Sequence, residues 1–337
     1  MKNRGKKALS GLFSLALIVS LFSAMPVKAG AVSSWNGVIP AANAAYSFSG
    51  GSGTEVAPYE IDTAADLAQL SANVQGGTVY TGKYFVMTDD ISLSPASASD
   101  ATVNPTVAGT AGYTGGGTVY EWLPIGGGAT SYSFQGHFDG KEKTIYNIFY
   151  NQSTGSYGTG NSVANNIGLF GKLEENASIR NLTISGGYVG AKRSVGGLVG
   201  SNKNDYNKQT GTGGTVYGGI SNSYNAGTVT GGIAGGIAAF QKGSMRNCYN
   251  IGNITGSTYA GELIGEMNSS LTNDALRYEG STTPVGNLVS GSPATVSFSS
   301  ASGLLSDLNG WVSAQSSGDY STWTIDPGEN SGYPIFA

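Results

Sequence analysis

The sequence predicts an all-β fold: a right-handed parallel β-helix, or solenoid, with short capping helices at both ends. Three observations lead there. The 337 residues include 54 glycines, roughly twice the usual ~7%. There is no three-residue glycine period, and isoleucine, valine and 19 tyrosines are spread through the chain, so neither collagen nor disorder fits. The chain also repeats itself. Ile179-Arg180-Asn181-Leu182, Ile220-Ser221-Asn222-Ser223, Met245-Arg246-Asn247-Cys248 and Leu271-Thr272-Asn273-Asp274 align, with Ile145-Tyr146-Asn147-Ile148 as an expected earlier member. A second series interleaves with the first: GLFG at 168–171, GGLVG at 196–200, GGIAG at 231–235 and GELIG at 261–265.

A unit of about 25 residues cannot bury a core alone and must stack on its neighbours. Three or more glycines per unit exclude helical repeats, whereas short β-branched runs between turn residues form strands. Each unit is then one coil, with coils about 4.8 Å apart and equivalent residues in columns. Ile179, Ile220, Met245 and Leu271 are expected as an inward apolar column. The repeated Asn suits a left-handed corner, where its amide can bond the copies above and below. Cys248, in the slot of Ser223 and Leu182, reads as a small packed residue.

In chain order, Lys2, Arg4, Lys6 and Lys7 precede an apolar run from Leu9 to Phe22 and small residues at Val27-Lys28-Ala29. This is the pattern of a secretory signal peptide, expected to end at Ala29. Without it, 12 basic residues face 21 acidic ones, a net charge of −9, which disfavours nucleic acid as a partner. One domain, 30–337, is expected: an N-terminal cap at about 55–80, coils at about 83–300 and a C-terminal cap at about 301–337. Thr63-Ala64-Ala65-Asp66 resembles a capping box opening a helix with Leu67, Leu70 and Val74 on one face. Segments 95–118 and 202–215 lack the repeat and read as projecting loops. Leu304, Leu305, Leu308, Trp311 and Val312 have helical spacing, and Trp323-Thr324-Ile325 and Tyr333-Pro334-Ile335 complete the closure.

These motifs resemble those of bacterial extracellular proteins with GLUG modules. Gly168-Leu169-Phe170-Gly171 and Gly197-Leu198-Val199-Gly200 fit the Gly-Leu-apolar-Gly signature. Gly232-Ile233-Ala234-Gly235 departs by one aliphatic, and Glu262-Leu263-Ile264-Gly265 has Glu for the first Gly. The resemblance implies a right-handed β-helix of the kind found in surface adhesins and IgA-specific metallopeptidases, where it is not generally the catalytic part. It supplies no catalytic residue to carry over.

The only histidine, His137, lies in FQGHFDG at 134–140. Alternation of Phe134, Gly136 and Phe138 with Gln135 and His137 sends His137 to solvent if the phenylalanines point inward. Asp139-Gly140 then makes the corner. A zinc peptidase needs two histidines on one helix face, so that class is excluded. A glycosidase needs only two carboxylates. Asp89, Asp90, Asp139, Glu174, Glu175, Asp205, Glu262 and Glu266 are the candidates that stacking could bring together.

No catalytic, metal or cofactor residue is assigned. A possible ligand surface is carried by Tyr224 and Tyr249, in matching slots, and by Arg180 and Arg246, in another matching pair. The expected function is a secreted or cell-surface solenoid without catalysis: an adhesive, structural or binding module for an extracellular glycan or surface protein. The alternative is a carbohydrate-active enzyme, a polysaccharide lyase or glycosidase, on the same scaffold. No transmembrane segment is expected after signal cleavage.

Overall fold

The computed structural model describes residues 32–94, 120–127, 132–152, 166–174, 177–203, 219–268, 273–279 and 283–337. The expected leader at 1–29, nearly all of both expected loops, Glu175, Asp205 and Leu271-Thr272 lie outside these residues.

The chain winds into coils whose strands stack in parallel to form three walls, with two short helices flanking them. A seven-stranded wall takes Tyr59–Ile61, Tyr84–Met87, His137–Asp139, Ser178–Arg180, Gly219–Ser221, Ser244–Arg246 and Asn273–Asp274 in that order. A five-stranded wall runs from Phe170–Glu174 to Val285–Ser290, and an eleven-stranded sheet forms the third side. The architecture is that of a right-handed parallel β-helix, the hand that parallel crossovers take almost without exception.

Stacking in register makes the core. Phe85, Phe138, Ile179, Ile220 and Met245 form one column, and each is at most 1% exposed. Phe170, Val199, Ala238, Ile264 and Val285 form a second. Toward the N-terminal end aromatic rings fill the lumen, with centroids 5.3 Å apart for Phe134–Phe170 and for Phe138–Phe170. Thr63 caps helix α1 (Ala64–Gln75) through the expected capping box, and Leu67, Leu70 and Val74 are fully buried.

The asparagine file exists, with corrections. Asn222 donates to Asn181 at 2.8 Å, and Asn247 donates to Asn222 at 2.7 Å. All three sit at positive φ, the left-handed corner that Asn tolerates. Asn273 is not in this file. It pairs with Met245 in the buried column, and its amide oxygen accepts from Gln241 at 3.0 Å. The corner of that coil falls on Ala275, at φ 53, and the buried slot of Cys248 passes to Leu276. Asn147 is not in the file either. Its strand pairs with Thr183–Ala191 in the eleven-stranded sheet, and Gly140 holds the position opposite Asn181.

The second repeat series also slips once. In GGIAGGIAA it is Ile237-Ala238 that aligns with Leu198-Val199, not Ile233-Ala234. The earlier Ile233-Ala234-Gly235 pairs instead with Ser194–Gly196. The physical reason lies in Gly197 and Gly236. A Cβ on Gly197 would meet the Asn225 side chain at 2.6 Å, and one on Gly236 would meet that of Asn250 at 2.4 Å. Asn225 donates to Asn250 at 2.8 Å. The glycines thus make room for a second asparagine file, drawn from the YNAG and YNIG segments.

The main file stops at Asn247, whose Oδ1 is buried with no hydrogen-bond partner among the described residues. Ala275, the residue above it, pays a left-handed strain of roughly 1 kcal/mol. Ala275→Asn is expected to relieve that strain and to donate to the orphaned oxygen. A gain of about 1–2 kcal/mol should appear as a higher urea midpoint at unchanged slope.

Helix α2 (Ala301–Ser313) and the residues after it pack on the flank of the coils. They form a second core of Tyr224, Tyr249, Phe298, Leu304, Leu308, Trp323 and Phe336. Backbone carbonyls of Leu308, Ser321 and Asp319 accept from Asn247, Asn222 and Asn181 respectively. Helix α2 and the tail therefore lie along the asparagine file and offer each of these coils one backbone carbonyl.

Candidate functional site

The outer face of the seven-stranded wall brings the sequence candidates together. Alternation along each strand points one residue inward and its neighbours outward. One outer row is Tyr84, His137, Ser178, Gly219 and Ser244. The other is Glu60, Val86, Asp139, Arg180, Ser221, Arg246 and Asp274. Arg180 and Arg246 do share a column, with Ser221 between them, so their backbones lie two coil spacings apart, about 10 Å.

The charges are largely paired. Arg180 Nε donates to Asp139 at 2.9 Å, and its Nη1 lies 3.5 Å from Asp319 of the tail. Asp139 also accepts from Asn181 Nδ2 and from the Lys141 amide. Two carboxylates therefore flank one guanidinium, but the lone pairs of Asp139 are committed to holding its corner. Arg246 Nε lies 3.8 Å from Asp274, an ion pair too long for a hydrogen bond. Both arginine side chains remain about a third exposed, at 35% and 34%.

His137 sits as the alternation required, half-buried between the fully inward Phe134 and Phe138. Its ring lies 4.4 Å from that of Tyr84, and Nδ1 is 2.9 Å from Ser178 Oγ. Burial, and secondarily the nearby Arg180, hold its pKa below 6.5. The folded state therefore disfavours the proton that the unfolded chain accepts, and stability falls as the pH drops below the unfolded value. In urea melts across pH 5 to 8, about the range in which histidine titrates, His137→Gln should remove part of the acid-side loss and leave the neutral arm parallel to wild type.

The remaining carboxylate candidates among the described residues each have their own partners. Asp90 accepts from the Thr144 amide and Asp89 from the Asp90 amide. Glu174 pairs with Lys172 and accepts from Ser133. Glu262 accepts from Asn250, and Glu266 from Asn287. Among the described residues, no three His, Cys, Asp or Glu side chains are grouped to hold a metal.

The tyrosine half of the expected ligand surface is corrected. Tyr224 and Tyr249 stack as their register requires, 4.6 Å apart and 9° from parallel. They are only 3% and 0% exposed, lying beneath Trp323 and Phe298. The Tyr249 hydroxyl donates to the Pro334 carbonyl and accepts from Asn330. They are core residues, because the tail returns over them. Cys248 is fully buried, and burial pushes its thiol up to about 12; it is packing, not a nucleophile.

With this geometry in hand, the relatives can be placed. No family model matches the chain. A provisionally named Gly-rich membrane protein of Evansella cellulosilytica is 35% identical over 158 residues, 46% of this chain and 14% of that one. Halomucin of Haloquadratum walsbyi is 30% identical over 168 residues, 50% of this chain and 2% of that one. The chain thus spans a small part of either relative. Among solved structures, a provisionally named immunoglobulin A1 protease from Bacteroides ovatus superposes with a TM-score of 0.51 at 19% identity, covering 86% of this chain and 95% of that one. What is shared is the fold. No helix among the described residues is long and apolar enough to cross a membrane, which leaves strand-built membrane proteins unaddressed.

Proposed function

We propose that this chain is an extracellular or cell-surface solenoid of the GLUG type that binds a glycan through its seven-stranded wall and performs no catalysis. In this reading residues 1–29 are a cleaved leader and 30–337 are one domain. The observation that carries it is the outer column Arg180–Ser221–Arg246. Two arginines with part-exposed side chains stand on backbones about 10 Å apart across a small hydroxyl, beside the ring pair Tyr84–His137. A flat face with spaced forks and an aromatic edge suits an extended chain bearing carboxylate or sulfate groups, which arginine recognises bidentately. The separate pairing of the other described carboxylates favours binding over hydrolysis. The names of the two sequence relatives, a membrane protein and a halomucin, support a surface setting.

A glycan array run beside a reducing-end assay on the same polysaccharides tests this. Binding to acidic glycans without product release is expected. Ser221→Glu, which places a carboxylate between the arginines, and Arg246→Ala should each weaken binding at least tenfold with little change in melting. Product release above blank would replace this reading with the carbohydrate-active enzyme. Binding untouched by both variants would move the site off this wall.

A further inference from the structure

We infer that the C-terminal end of the solenoid is a self-association surface, on which a second copy of this chain docks end to end about a two-fold axis. The two ends of the coil stack are unlike. At the N-terminal end α1 is buried against the first coils, with Leu67, Leu70 and Val74 fully covered. At the other end the strand Val285–Ser290 pairs on one side only, with Ile264–Asn268, and has no partner on its outer edge among the described residues. The strand Ile254–Gly261 is likewise paired only with Thr228–Gly235. The residues that follow do not cover this end, because α2 and the tail lie along the flank over Tyr224 and Tyr249.

The exposed edge is apolar. Leu288 stands in register with the fully buried Met267, as the next layer of the same core column, yet it is 51% exposed. Val289 is 55% and Val296 49% exposed. Open, flat, apolar edges are normally blunted by charge, by proline within the strand, by a β-bulge or by a covering element, and of these the strand carries only a register shift that skips Val289. Here residues 254–261 and 283–298 contain no charged side chain. Pro284 and Pro293 lie just outside the strand Val285–Ser290.

The occupant follows from charge and symmetry. The chain is acidic overall, at −4, so two copies repel over most of their surfaces. The uncharged end is where identical copies meet without like-charge cost. Head-to-tail stacking would need an open N-terminal end, which α1 covers, so the contact closes as an isologous dimer rather than a fibre. A two-fold across the edge pairs the strand Val285–Ser290 antiparallel with its copy and sets the Leu288 and Val289 side chains against their symmetry mates.

Sedimentation equilibrium and light scattering on the purified chain test this. The expected mass is twice that of the monomer. Leu288→Lys and Val289→Glu should each return it to a single chain, with circular dichroism unchanged and a urea midpoint that no longer rises with protein concentration. Val56→Glu, at a 94% exposed apolar residue remote from this end, should leave the dimer intact. A monomer at every concentration, a dimer unaffected by both edge variants, or open-ended growth would each overturn the proposal.

Discussion

Asn222→Ala is expected to cost about 3–5 kcal/mol, an unusually large loss for one side chain. Asn222 is fully buried, and both ends of its amide are used twice. Nδ2 donates to Asn181 Oδ1 and to the Ser321 carbonyl, while Oδ1 accepts from Asn247 Nδ2 and Trp323 Nε1. Alanine leaves Trp323 Nε1 and the Ser321 carbonyl without these bonds, and a buried group stripped of its partner costs roughly 1–3 kcal/mol. Asn181 retains two contacts to the tail and Asn247 one to α2. Alanine must also hold φ at 47, a left-handed strain of about 1–2 kcal/mol. Asn222→Gly separates the two costs: it loses the same bonds without the strain, so it should be milder than alanine by about 1 kcal/mol.

Where that loss appears is informative. Trp323 belongs to the second core, which lies outside the coils. If tail and coils open separately, as quasi-linear arrays can, Trp323 fluorescence in Asn222→Ala will report unfolding at lower urea than far-ultraviolet dichroism. Coincident transitions at the wild-type midpoint would show that the asparagine file contributes nothing.

Much of this was legible in the sequence, because stacking turns sequence repeats into spatial columns. Ile179, Ile220 and Met245 align, as do Tyr224 with Tyr249 and Arg180 with Arg246. The failures share one cause: a local pattern does not show what stands above or beside it. GGIAGGIA presents the same glycine-aliphatic pattern after a shift of four residues, and only the asparagine packed against Gly236 decides between the two placements. The last corner is held by Ala275, whose side chain carries no left-handed signature. Stacked tyrosines look alike whether bare or covered, and their cover returns from far along the chain, at Phe298, Trp323 and Pro334. On the candidate face, the arginine column could be read from the repeat. Its junction with His137 and Asp139 could not, since Gly140 replaces the marker asparagine in that coil. Nor could the reach of Asp319 from the tail.

At the opposite end of the rod, one carboxylate organises the cover. Asp66 is 2% exposed, yet five donors converge on it: Tyr46 Oη at 2.9 Å, Ser49 Oγ at 2.7 Å, Thr63 Oγ1 at 2.8 Å and the amides of Thr63 and Asp62 at 3.1 and 3.3 Å. No ion pair to Asp66 is present among the described residues. The first turn of α1 and these neutral donors stabilise its charge, as expected for an acidic residue at a helix N-terminus. Burial, and next its bond to Asp66, push the Tyr46 hydroxyl up to about 12. Asp66→Ala leaves three hydroxyls and two amides without their acceptor and is expected to cost about 3–5 kcal/mol. Asp66→Asn retains one acceptor but turns an amide donor toward other donors, so about half of that loss should remain. The consequence is larger than the energy alone. Once α1 lifts, the strand Tyr59–Ile61 becomes a bare sheet edge beside the exposed core residues Leu67 and Leu70, a template for aggregation. Hydrogen exchange should therefore show protection lost first at 59–75 in Asp66→Ala, with coils beyond 178 still protected. Uniform loss along the rod would mean that the cap and coils unfold as one unit. Unchanged exchange would mean that the hub of donors is not what holds the helix down.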